Sequence, residues 1–130
     1  MTYTPSQKFY YDKVHFLNYK IVGNGHISVV MIHGFGASLE TWSDILPYFD
    51  LAKYRFVLVD LKGAGFSSKP KHTDYSMVEQ SRLIGELIDY LHLQDYYLAG
   101  HSFGGGVALL NTIDAVIAGK RLPRGLILID

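Results

Sequence analysis

Four short runs in this chain are apolar almost without interruption: ISVVMI at 27–32, RFVLV at 55–59, YYLA at 96–99 and LILI at 126–129. A strand with one face in water alternates apolar and polar residues. A continuous run is what a strand covered on both faces requires. Each run is too short for a buried helix and ends at turn chemistry. None approaches the roughly 20 residues of a membrane-spanning helix.

The stretches between these runs carry helical spacing. Trp42, Ile45, Leu46 and Phe49 fall at i, i+3, i+4 and i+7, with Pro47 set to kink or restart that helix. Ile84, Leu87, Ile88 and Leu91 repeat the pattern, and Ser76 three residues before Glu79 predicts a capping box. A third helix is expected over 103–118, stopped by Gly119 and Pro123. Upstream, residues 8–22 read as two short strands followed by an Asn24-Gly25 turn. The predicted order is β, β, β, α, β, α, β, α, β, the alternation of a mostly parallel sheet with covering helices.

Composition narrows the function classes. At 48% hydrophobic and 18% charged residues, the chain is core-rich rather than disordered. Zero net charge gives no electrostatic reason to expect nucleic acid or an anionic membrane as a partner. The absence of cysteine excludes disulfides, thiolate nucleophiles and cysteine-based zinc sites. No histidine pair has metal-ligand spacing on a helix, so no metal and no organic cofactor are expected. The N-terminus lacks the apolar stretch of a signal peptide, and a soluble cytoplasmic protein is the expectation by elimination.

Gly100-His101-Ser102-Phe103-Gly104 fits G-x-S-x-G, follows the YYLA run and opens a helix. That context makes it a nucleophile elbow, with Ser102 at a tight strand-to-helix turn whose neighbours must be small. The helix N-terminus favours negative charge developing there. No Lys-Ser/Thr follows these glycines, which excludes a Walker A loop, and no acidic residue follows at the spacing of a dinucleotide fingerprint.

A second motif, His33-Gly34-Phe35-Gly36, follows ISVVMI. Its turn can aim a backbone N–H at the oxygen of a tetrahedral intermediate, the residue after the nucleophile supplying the other. The oxyanion donors are then the main-chain amides of Phe35 and Phe103, and their side chains line the pocket. His33 reads as a packed turn residue before it reads as a base. The third motif, DLKGAGFS at 60–67, reads as a structural turn in which Asp60 bonds backbone amides, rather than as a ribose ligand or triad acid.

HGFGAS, DLKGAGFSSKP and GHSFGGG, in this order and at these separations, resemble the α/β-hydrolase superfamily in its esterase, lipase and dehalogenase-like branch. The similarity covers roughly residues 21–130. It implies an α/β-hydrolase fold with strands ordered 1-2-4-3-5-6-7-8, of which this chain holds strands 1–6 and helices A–C. It also implies Ser102 as nucleophile, Phe35 and Phe103 as oxyanion donors, and a small ester-like molecule as substrate. Dehalogenases of this branch carry aspartate where Ser102 stands, which argues against that chemistry.

The chain departs from the pattern after Ser102. The family's triad runs Ser, then Asp or Glu, then His, yet here only Asp114 and Asp130 follow and all six histidines precede. Residues 1–130 are therefore expected to form one incomplete core domain, a serine hydrolase of carboxylic-ester-like bonds that is inactive alone. Its last strand is expected to be an open edge, prone to self-association or to pairing with a C-terminal half. The alternative is a non-catalytic member of the fold that serves as a ligand receptor or interaction module.

Overall fold

All four apolar runs are strands in the computed structural model, which describes residues 4–130. They are β3 (Ile27–Ile32), β4 (Tyr54–Val59), β5 (Tyr96–His101) and β6 (Gly125–Ile129), preceded by β1 (Gln7–Tyr10) and β2 (Phe16–Val22). One sheet holds them in the order β1-β2-β4-β3-β5-β6. The first two strands run antiparallel, and β4, β3, β5 and β6 are mutually parallel. This is the α/β-hydrolase order implied by the resemblance, through strand six.

The reason for uninterrupted apolar runs is visible in where alternate residues go. Val30 and Ile32 of β3, Val57 and Val59 of β4 and Leu98 of β5 pack on one face, beneath Leu83, Ile84, Leu87 and Val107. Val29, Met31, Phe56, Leu58 and Ala99 pack on the other, with Leu39, Trp42 and Leu46. Two cores sandwich the central strands, so neither parity of residue can be polar.

The first face is covered by α1 (Met77–Tyr90) and α2 (Phe103–Ala118). Ser76 caps α1, its Oγ accepting from the Glu79 N–H at 3.2 Å. The reciprocal half of the predicted capping box is not made. The Ser76 N–H donates to Asp74 Oδ1 at 2.7 Å, and the Glu79 carboxylate turns to Lys62 and Arg82. Gly119 ends α2 in the left-handed conformation, at φ 68°.

The helix predicted over Trp42 to Phe49 does not form. Two short 3-10 turns, Leu39–Trp42 and Leu46–Tyr48, stand in its place. Pro47 has no N–H to give an α-helix, and its ring would meet the carbonyl four residues back. Trp42 and Leu46 are nevertheless buried. Ile45 and Phe49, the other two positions of the pattern, are exposed, so the turns bury only half of the expected stripe. Helix A is thus absent as an α-helix, and two α-helices accompany the six strands instead of three.

Strand β6 is the last in the sheet and is paired on one side only, with β5. Ile127, Leu128 and Ile129 are about half exposed, as are Ile113 and Val116 on the adjoining α2. No helix among the described residues is long and apolar enough to cross a membrane.

Helix α2 comes closest to the sheet at Gly104. A Cβ there would lie 2.2 Å from the Ile32 carbonyl oxygen and 2.4 Å from that of His33. Gly106, two residues further along, would meet only the flexible end of Met77. Gly104→Ala is therefore expected to destabilise the chain by about 1–3 kcal/mol in urea unfolding, the cost of overpacking against backbone. Gly106→Ala should cost clearly less. Equal losses would mean that α2 is not seated at Gly104.

Candidate active site

The three motifs converge because β3, β4 and β5 are adjacent and parallel, so the loops that follow them leave the sheet at the same edge. β5 passes into α2 through Ser102, whose backbone sits at φ 54° and ψ −116°. That region costs a non-glycine residue on the order of 1–3 kcal/mol and persists only where its surroundings impose it. Two hydrogen bonds do so here. The Ser102 N–H donates to the Ile129 carbonyl of β6 at 2.9 Å, and the Ser102 carbonyl accepts from the Gly105 N–H at 2.9 Å. A Cβ on Gly100 would lie 2.2 Å from the Gly104 carbonyl oxygen, so the turn closes only with a bare α-carbon at that position. The Ser102 side chain is exposed and its hydroxyl makes no hydrogen bond with a described residue.

The loop after β3 lies against this turn. A Cβ on Gly34 would stand 3.3 Å from the His101 carbonyl oxygen and 3.6 Å from Ser102 Cβ. The next residue, Phe35, is 90% exposed, and its ring meets that of Phe103 edge-on with centroids 6.3 Å apart. Neither the Phe35 nor the Phe103 backbone N–H donates to another group among the described residues.

His33 is fully buried, and both ring nitrogens are engaged. Nε2 accepts from the Leu61 N–H at 3.0 Å, which leaves the proton on Nδ1 to donate to the Gly34 carbonyl at 2.7 Å. Burial pushes its pKa down against the opposing pull of the Gly34 carbonyl and Asp60. His33 is thus a neutral brace between two loops and has no nitrogen left to take a proton from Ser102. Of the remaining histidines, His26, His72 and His92 are exposed and His15 pairs with Asp12 at 2.8 Å. None of the described histidines bonds Ser102, and no cluster of metal-ligating side chains occurs among the described residues.

Asp60 is also buried, and it works as a staple. Its Oδ1 accepts from the Leu39 N–H at 2.8 Å, and its Oδ2 accepts from the Phe66 N–H and from Asn18 Nδ2, both at 2.9 Å. Three segments distant in sequence are tied to one carboxylate, as the turn reading expected. The same loop is held from α1 by Glu79 and by Gln80, a residue the sequence did not flag. Gln80 grips the Lys62 backbone from both sides, accepting its N–H at 3.0 Å and donating to its carbonyl at 2.9 Å. The Lys62 ammonium is buried on Thr73 Oγ1, the Asp74 carbonyl and Glu79 at 2.8–3.1 Å. Arg82 first, and Lys62 after it, hold the Glu79 carboxyl below the usual range. Tyr75 and Gln80 follow shortly after Pro70 along the chain, and the packing of α1 against the loop brings Gln80 onto Lys62.

Between the two loops opens a cleft of about 510 Å³. Phe35, Phe103, the segment from Leu61 to Gly65 and Tyr75 line it, and the exposed Lys69 borders it. Ser102 is not in the lining. It stands beside Phe103 and Gly34, which are. A larger groove of about 700 Å³ between α1 and α2 contains no residue of the three motifs, and Asp114 lies there, away from Ser102. Asp130 follows Ile129, the register partner of His101, and is exposed at the same end of the sheet as Ser102.

His33 offers a direct check on this arrangement. Because burial lowers its pKa, protonation in the folded state should begin only below the ordinary value of 6.5. The unfolded chain takes up the proton first as pH falls, so His33 contributes stability above pH 6.5 that is progressively lost on acidification. Imidazole ¹⁵N–¹H spectra should show the Nδ1–H tautomer and a His33 titration below the ordinary histidine value of 6.5. An Nε2–H tautomer, or His33 titration at or above that value, would contradict the brace.

Residues 27–115 match the alpha/beta hydrolase fold family. The mesoderm-specific transcript homolog protein of Bos taurus is 36% identical over 109 residues, which is 82% of this chain and 31% of that protein. A dihydrolipoyllysine-residue acetyltransferase component of the acetoin cleaving system, from Cupriavidus necator, is 33% identical over 76% of this chain and 26% of its own length. The chain spans about a third of the length of the curated relatives it matches. An epoxide hydrolase solved without ligand superposes with a TM-score of 0.82 at 23% identity, over 98% of this chain and 42% of that one. An alpha/beta hydrolase fold protein from Burkholderia ambifaria gives 0.77 at 26%, over 94% and 42%. Matched over most of its length in sequence, and in the same strand order, the chain belongs to the alpha/beta hydrolase fold family.

Proposed function

We propose that this chain carries the nucleophile and oxyanion half of a serine hydrolase of carboxylic-ester-like bonds. The observation that carries the reading is Ser102, an exposed hydroxyl on a backbone held at φ 54° between β5 and α2, beside two unengaged amides. Strain of this kind marks sites where a side chain must be presented rather than packed. In the proposed reaction Ser102 Oγ attacks the ester carbonyl and its proton passes to a base. The Phe35 and Phe103 N–H groups receive the developing oxyanion. The alcohol leaves with a proton as the carbon–oxygen bond breaks, and water then releases the acid from the acyl-enzyme. The acetyltransferase named among the relatives suits acyl transfer, and the epoxide hydrolase suits hydrolysis on the same fold.

In this proposal the triad acid and histidine come from sequence that the curated relatives have beyond the third matched here. The half-exposed apolar residues of β6 and α2 are the surface against which that sequence, or a second copy, would pack. Ser102 has no histidine bonded to it, so the chain alone should be a poor catalyst.

Hydrolysis of p-nitrophenyl acetate tests this. A chain extended to the length of the curated relatives should turn over about four to six orders of magnitude faster than these 130 residues alone, the usual cost of missing triad members. Ser102→Ala should erase the difference. Turnover by the extended chain that survives Ser102→Ala would overturn the reading. No turnover by either chain would favour a ligand receptor built on this fold.

A further inference from the structure

The cleft beside Ser102 has a chemical signature of its own, and it deepens the hydrolase reading by naming the substrate group the cleft would hold. Its size falls within the range of small-molecule sites. Phe35, Phe103, Leu61, Ala64 and the ring of Tyr75 give it apolar, largely aromatic walls, while the Tyr75 hydroxyl is turned out to the Pro70 carbonyl. A flat or branched apolar group suits such walls.

The charge at the cleft is one-sided. No aspartate or glutamate lines it. Of the two lysines that do, Lys62 is buried and paired with Glu79 at 3.1 Å. Lys69 is exposed at the mouth. Its ammonium is held by the Gly65 and Ser67 carbonyl oxygens, and no carboxylate among the described residues pairs with it. Neutral carbonyls fix the position of a cation without cancelling its charge. The side chain is therefore already ordered where a bound group would meet it, which removes part of the usual entropic cost of an exposed ion pair. A cationic group entering this cleft would find no counter-charge in the walls and would face Lys69.

We infer that the cleft selects an ester whose apolar, aryl-sized group ends in a carboxylate, and that Lys69 is the residue that reads that charge. The inference rests on Ser102 being the reacting residue of the same site. Its test, however, needs binding only, so it can fail or succeed separately from catalysis.

Three probes of one shape and different charge decide it: 4-phenylbutyrate, 4-phenylbutan-1-ol and 4-phenylbutylamine, titrated into the chain and followed by backbone ¹⁵N–¹H spectra. The acid should bind two- to fivefold more tightly than the alcohol, roughly the size of one exposed ion pair, and the amine should bind more weakly than either. The shifts should centre on the amides of Phe35, Gly63, Gly65 and Phe103, and added salt should narrow the gap. Lys69→Gln should equalise acid and alcohol while the alcohol still binds, and Lys69→Arg should keep the preference. Ser102→Ala should leave all three affinities unchanged, which separates this result from the esterase assay. Equal affinity for acid and alcohol, tighter binding of the amine, shifts confined to β6 and to residues 107–118 of α2, or a preference that survives Lys69→Gln would each overturn the inference.

Discussion

The site depends on how closely α2 can begin above the sheet. Gly100 and Gly104 touch backbone across the turn, and Gly104 also touches the carbonyls that end β3. With those contacts made, one residue must reverse the chain between strand and helix, and it does so at positive φ. That residue is Ser102. Its exposure, its lack of a side-chain partner and its nearness to Gly34 all follow from this one packing constraint. The strain costs on the order of 1–3 kcal/mol, borne by the buried sheet and by the hydrogen bond that Ile129 accepts.

The opposite wall of the cleft is held by polar contacts in an apolar setting, where unpaired groups are most expensive. His33 links the loop after β3 to the loop after β4, Asp60 ties the latter to β2 and to the first 3-10 turn, and Gln80 anchors it to α1. Each buried group has its partners, so the loops are fixed although they contain several glycines. That rigidity gives two backbone amides and an apolar cleft a defined place beside Ser102.

Much of this was legible in the chain. The uninterrupted apolar runs reported two-sided burial and hence the central strands, because parity along a strand maps directly onto faces. The elbow was legible because close approach demands glycine at particular offsets. Around Trp42 the helical spacing misleads, because Pro47 breaks the segment into two 3-10 turns that bury Trp42 and Leu46 and leave Ile45 and Phe49 exposed. The capping box was half right because Glu79 found stronger partners in Lys62 and Arg82. Gln80 carried no local signal. Its role arises where α1 and the loop after β4 meet, and single-sequence patterns do not encode such meetings.

Whether the backbone at Ser102 presents a nucleophile is tested most directly by a fluorophosphonate probe with intact mass as readout, applied to a chain extended to the length of the curated relatives. With Ser102 as the nucleophile, one probe's mass is added and the addition vanishes with Ser102→Ala. Labelling that persists after that substitution would place the reactive group elsewhere and rule Ser102 out.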